Sequence, residues 1–132
     1  MVFAGLNYLA VLVAAVAGFA FGGIWYGVLF GKRWRAIVGV DAFKPRPTQM
    51  LIASVAHLLM AWMLAGVVGH LGEVTITRTL ISAAFLWVGF VLTTMIVNHR
   101  FQSSPWSLTA IDGGHWLGVL LVMGLVIGWL GV

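Results

Sequence analysis

The sequence predicts an all-α integral membrane protein, a single bundle of four transmembrane helices over residues 1–132. Three observations predict it: an apolar composition, four apolar stretches of membrane-spanning length, and a lopsided placement of Lys and Arg. The chain is 62% hydrophobic and 8% charged, with a mean hydropathy of +1.09. Soluble domains average about 45–50% apolar and about 25% charged residues. Seven Lys and Arg with three Asp and Glu could not cover a water-soluble domain of 132 residues. Four spans with short connections leave no residues for a soluble head. There is no Cys, which excludes disulfides, thiolate metal sites and thiol catalysis.

A bilayer core needs about 20 helical residues. The first candidate span covers about residues 7–30, longer than a signal-peptide core and with no Lys or Arg before it, so it reads as retained. The second covers about 50–68, the third about 80–97 and the fourth about 107–130. The connections are then 31–49, 69–79 and 98–106, and all three prolines (Pro45, Pro47, Pro105) fall in them. Proline inside a helix removes a hydrogen bond and clashes with the preceding turn, so this placement leaves the spans unbroken. Ser104-Pro105 reads as an N-cap followed by proline at the first helical position. Period-two alternation is missing and four strands cannot close a barrel, which excludes a β-barrel.

Orientation follows from charge. Lys32, Arg33, Arg35, Lys44 and Arg46 lie between spans one and two, and Arg100 lies between spans three and four. With four spans these connections share a side, six basic residues against Arg78 alone on the other. The positive-inside rule puts the 31–49 loop in the cytoplasm and both termini outside, in a bacterial inner membrane. The basic charge is thereby explained by topology, and no nucleic-acid partner is expected.

Small residues indicate how helices touch. Gly18/Gly22 and Gly23/Gly27/Gly31 recur at four-residue spacing in span one, Ala61/Ala65/Gly69 in span two, and Gly114/Gly118 and Gly124/Gly128 in span four. Apolar burial does not drive association in lipid, so close backbone approach along such stripes takes its place. A chain this small has little interior of its own, so a homo-oligomer is expected, most simply a dimer, with a larger membrane complex as a further option. Ungapped alignment of spans two and four sets Ser54 on Asp112, His57 on His115 and Gly66 on Gly124. This faint repeat suggests two parallel-repeat hairpins.

Polar residues at membrane depth are the candidate site. At 1.5 Å per residue, His57 lies roughly 10 Å, Asp112 about 8 Å and His115 about 12 Å into their helices from the same face. Asn98, Trp25, Tyr26 and Ser54 lie nearby at that level. Asp112 and His115 are spaced i, i+3 and share a helix face beside Gly113/Gly114. An ionisable group there costs about 2.5–3.5 kcal/mol on insertion scales and normally faces a partner or a cavity. His70, Glu73 and His99 read as solvated. No catalytic signature is found: no phosphate loop, no His-Glu-x-x-His, no Gly-x-Ser-x-Gly. Three acidic residues in all do not provide a two-carboxylate mechanism inside one bundle.

The run Gly23-Ile24-Trp25-Tyr26-Gly27-Val28-Leu29-Phe30-Gly31-Lys32-Arg33-Trp34 resembles the Gly-x-x-Trp-Tyr…Phe-Gly-Lys-x-Trp signature of the small four-span bacterial proteins catalogued as domain of unknown function 1761. Trp87-x-Gly89-Phe90 and the glycine-rich last span, with Leu121-Val122-Met123-Gly124-Leu125-Val126-Ile127-Gly128, are similar as well. The resemblance covers essentially the whole chain. It implies four helices in a bacterial membrane and no particular activity. Its aromatic motif falls at the level of His57, Asp112 and His115, which favours treating that layer as one site.

Three function classes fit these residues. The favoured one is an ion- or small-molecule-binding or transport protein that uses Asp112 and the histidines. A non-catalytic accessory or scaffold subunit fits the glycine stripes. A haem or metal binder would use His57 and His115, which lie at similar depth on two helices. An enzyme acting on a lipid-soluble substrate has no motif behind it.

Overall fold

A computed structural model of the chain describes residues 3–42 and 44–132, and among them all regular structure is helical. The helices are α1 (Tyr8–Leu29), α2 (Gly31–Val38), α3 (Pro47–Leu71), α4 (Ile76–Phe101) and α5 (Trp106–Leu130). All but α2 are long and apolar enough to cross a membrane, with mean hydropathies of 2.0, 2.1, 2.3 and 1.7 in chain order. The protein is therefore a multi-pass membrane protein built as a helical bundle. The spans outrun the apolar stretches by a turn at several ends, because capping residues extend each helix into polar sequence.

The starts of the helices follow from local chemistry. Asn7 caps α1 by accepting from the Ala10 N–H at 3.1 Å. Thr75 Oγ1 caps α4 by accepting from the Arg78 N–H at 3.2 Å. Pro47 is not in the connection but at the first helical position of α3, where its missing N–H costs nothing. There the Arg46 N–H donates to Gln49 Oε1 at 2.9 Å. At α5 the N-cap is Pro105 rather than Ser104, and Trp106 opens the helix. The 31–49 connection also differs from a plain loop. Its first part is α2, which exposes Lys32 and Arg33, half-buries Trp34 and Arg35, and stops at Gly39 with φ 79°.

Two spans contain a π-helical turn, Trp25–Leu29 in α1 and Trp87–Leu92 in α4. Such a turn inserts an extra residue and rotates the following side chains, and it is frequent at functional sites. In α1 it is closed by the Phe30 N–H donating to the Trp25 carbonyl at 2.7 Å. The Tyr26 carbonyl then lies against Gly31, where any Cβ would collide with it. Gly31 is therefore required by a close backbone approach.

Packing is unequal around the bundle. The fourth span is central, with 44% of its apolar window buried, whereas the third has 6% and so offers most of its surface to lipid. α5 packs on both α1 and α4, and α3 packs chiefly on α1. The two hairpins are consequently not equivalent in their contacts, whatever similarity their sequences retain. The core runs through Val11, Ala14, Ala61, Leu64, Ala65, Val119, Met123 and Ile127. Gly18 lets α1 approach α5, since a Cβ there would come 2.8 Å from Met123 Cε. Gly128 does the same for α5 against α4, where a Cβ would come 2.7 Å from Ile76 Cα. Gly114 and Gly118 receive the rings of Trp25 and Phe21, and Gly124 lies against the Thr79 carbonyl. Gly23 and Gly27 behave otherwise: they are exposed, and a Cβ at either would meet nothing within 4 Å. Among the described residues no other helix closes on these two positions, and Gly23 borders a cavity.

Candidate functional site

The π turns fix the site. By widening α1 at Trp25–Leu29, the first one lets two adjacent large aromatics turn toward α5. The Trp25 indole N–H donates to the Ile111 carbonyl at 3.1 Å. The Tyr26 hydroxyl donates to Asp112 Oδ1 at 2.5 Å. From the other side, Trp87 at the start of the α4 π turn donates its indole N–H to the Gly113 carbonyl at 2.9 Å. Two indoles thus hold the backbone on either side of Asp112. With the Tyr26 hydroxyl, they tie this stretch of α5 to both α1 and α4.

Tyr26, His57, Asp112 and His115 line one cavity of about 400 Å³, closed further by Phe19, Trp34 and Trp116. Ligand sites are typically about 300–1,000 Å³. His57 and His115 are each only 5% exposed. The His57 Nδ1 lies 2.7 Å from the Ala53 carbonyl, an obligate acceptor, so Nδ1 carries the hydrogen. His57 Nε2 and His115 Nδ1 are buried without a hydrogen-bond partner. Buried polar atoms are nearly always partnered, so each exception needs a reason. His115 is seated tightly. Its ring packs on Tyr26 at 4.7 Å and Trp116 at 4.5 Å between centroids. A Cβ on Gly22 would come 2.8 Å from its Nε2. Glycine at position 22 is thus what makes room for the imidazole.

The remaining sequence-derived candidates are placed elsewhere. Trp25 supports the site through Ile111 and does not line the cavity. Ser54 is exposed and donates to the Met50 carbonyl at 2.8 Å; it borders a separate groove. Asn98 is exposed and lines a second, more open cavity of about 610 Å³, of which Asp112 and Trp116 also form part of the wall. His99, expected in solvent, is instead tucked against α5. Its Nδ1 is 2.8 Å from Thr109 Oγ1 and its Nε2 is 3.9 Å from Asp112 Oδ2. His99 lies in the last turn of α4, on the side that meets α5, just before the tight turn in which Ser103 has φ 56°. Arg100 follows the same route, donating to Ser104 O and Thr109 Oγ1 and lying 3.6 Å over the Trp106 ring. His70 and Glu73 are exposed as expected, and Glu73 only approaches Arg78 at 3.9 Å.

Sequence reasoning missed Trp34, Trp116, Phe19 and His99. Trp34 was within reach through the Phe-Gly-Lys-x-Trp run, and Trp116 through its place beside His115. Phe19 carries no signal that separates it from ordinary aromatic positions, whereas His99 is legible beside Asn98 at the end of the third span, just below the layer, and only its burial is not.

A pair of buried imidazoles facing a carboxylate can hold a proton, accept hydrogen bonds from a ligand, or ligate a metal. Among the described residues no three His, Cys, Asp or Glu side chains converge closely enough to hold a metal ion. No curated protein and no solved structure matches the chain. The family described as "Protein of unknown function (DUF1761)" matches residues 9–128, nearly the full length and including every residue of the cavity, and the chain belongs to that family.

Proposed function

We propose that this protein binds a small, mostly apolar molecule in the His57–Asp112–His115 cavity and carries it across the inner membrane of a bacterium. One observation supports this above all. Two buried imidazoles with unpartnered ring nitrogens and a carboxylate share one cavity whose walls are otherwise aromatic and apolar. Groups left unsatisfied at membrane depth are costly, and a ligand that pairs with them removes that cost. The six basic residues at the α2 end favour placing that end in the cytoplasm.

The test is binding by the purified protein in lipid nanodiscs. Membrane-permeant aromatic compounds are screened by thermal shift, and hits are repeated on His57→Ala and His115→Ala. A ligand at 100 times its Kd stabilises by about 2.7 kcal/mol, which is readily visible in a melt. Hits whose shift is lost in both variants support the reading. A panel that leaves the parent unmoved, or hits indifferent to both substitutions, would overturn it. The same nitrogens are those a bis-histidine haem would use. A Soret band in the purified protein, lost in both variants, would replace the small-molecule reading with that one.

A scaffold role is favoured by a different observation, the unpacked Gly23/Gly27 face of α1. That face suits a second copy of the chain, in line with small-residue helix packing. Cross-linking in native membranes tests it. Gly23→Leu should weaken a cross-linked dimer, and a parent protein that gives only monomer would end the idea.

A further inference from the structure

We infer that the occupant of this cavity is an organic cation, an ammonium group on a small aromatic or apolar body. The inference rests on the binding reading above and adds the ligand's charge and hydrogen-bond polarity.

Three features of the wall point the same way. The first is its hydrogen-bond sense. His57 spends its Nδ1 hydrogen on the Ala53 carbonyl, and the tautomer this bond selects leaves the buried, unpartnered Nε2 as an acceptor. Tyr26 spends its only hydrogen on Asp112 at 2.5 Å, which leaves its own oxygen and the second carboxyl oxygen as acceptors. Apart from the indoles and His115, whose tautomer is open, the polar side chains lining the cavity present acceptors. A ligand that donates is what they can receive.

The second feature is charge. Among the described residues no Lys or Arg forms an ion pair with Asp112, whose one ion-pair contact is the His99 ring at 3.9 Å. Arg100, one residue further along α4, donates to Thr109 and Ser104 and lies over the Trp106 ring. No Lys or Arg lines the cavity, although α2 at its border carries three. An anion would meet Asp112 in a wall that holds no Lys or Arg. A neutral hydrocarbon would leave the His57 lone pair unmet. A cation satisfies both, and a carboxylate at membrane depth is normally paired.

The third feature is the aromatic wall of Phe19, Tyr26, Trp34 and Trp116. Aromatic faces attract ammonium groups, and the attraction strengthens as water is excluded. The same rings accommodate an apolar body.

The experiment uses three probes of one shape: 2-naphthylmethylammonium, 2-naphthylmethanol and 2-naphthoate. Each is titrated calorimetrically into the full chain in nanodiscs, with empty nanodiscs as the blank. The ammonium should bind about tenfold tighter than the alcohol, and the naphthoate weakest. Asp112→Asn should bring the ammonium down to the alcohol's level. An alcohol equal to the ammonium, or a naphthoate that binds best, overturns the cation while leaving small-molecule binding standing. If none of the three binds, the binding reading itself falls.

A second measurement needs no variant. A hydrophobic carbodiimide should label Asp112 in the parent protein, with the exposed Asp41 and Glu73 as internal references in the same mass spectrum. Saturating ammonium should suppress labelling of Asp112 alone, and the alcohol should suppress it much less. Labelling of Asp112 that persists under saturating ammonium overturns the assignment.

Discussion

Removing the Tyr26–Asp112 hydrogen bond should loosen the bundle by a measurable but moderate amount. The perturbation is a double-mutant cycle with Tyr26→Phe, Asp112→Ala and the pair, since each of these removes the bond. A hydrogen bond to a charged group contributes about 1.5–3 kcal/mol in soluble proteins. Interhelical bonds in bilayers average about 0.6 and reach about 1.7 kcal/mol, because the unfolded chain in the membrane also finds partners. The bond here is short at 2.5 Å and joins α1 to α5 across an interior where Asp112 is 20% exposed. That geometry belongs near the top of the bilayer range, so the coupling energy should be about 1–1.5 kcal/mol. It corresponds to roughly a five- to tenfold change in the unfolding equilibrium. Asp112→Asn alone should cost less than Tyr26→Phe, since an amide oxygen still accepts from the phenol. Tyr26→Phe leaves the carboxylate with His99 at 3.9 Å as its nearest polar partner. The assay is reversible unfolding in mixed micelles followed by far-UV circular dichroism. A coupling within about 0.3–0.5 kcal/mol, the scatter of independent sites, would refute the view that this bond joins the two helices.

Other expectations follow from close contacts and charge. Gly22→Ala places a Cβ 2.8 Å from His115 Nε2 and should destabilise by about 1–3 kcal/mol through overpacking, whereas Gly23→Ala, facing open space, should stay within about 0.5 kcal/mol in the same thermal melt. Gly31→Ala collides with the Tyr26 carbonyl and should open the π turn, which hydrogen exchange would report as faster exchange of the Phe30 amide. A cysteine placed at Thr48 would be unique in this chain. A membrane-impermeant maleimide should label it only from the cytoplasmic side, and labelling in intact cells from outside would reverse the topology.

The membrane class and the four spans were legible in the sequence because they depend on length and hydropathy alone, which no tertiary contact alters. Asp112 and His115 on one face followed from helical periodicity, and their joining by His57 followed from comparable depth. Tertiary structure decided the rest. Periodicity assumes 3.6 residues per turn, so it could not foresee the π turns at Trp25 and Trp87 that aim two indoles at the carbonyls flanking Asp112. It could not separate Gly22, which admits an imidazole, from Gly23, which faces open space, because that depends on which neighbour approaches. Depth grouped Asn98 and Ser54 with the site, and packing places them on adjoining cavities, Asn98 with Asp112 and Ser54 with His57. A place at a helix end suggests solvent for His99, yet the side of α4 that carries it meets α5, and its ring reaches Thr109 and Asp112. Hydropathy and spacing are properties of one helix at a time, whereas the cavity is made by three, and only their packing could shape it.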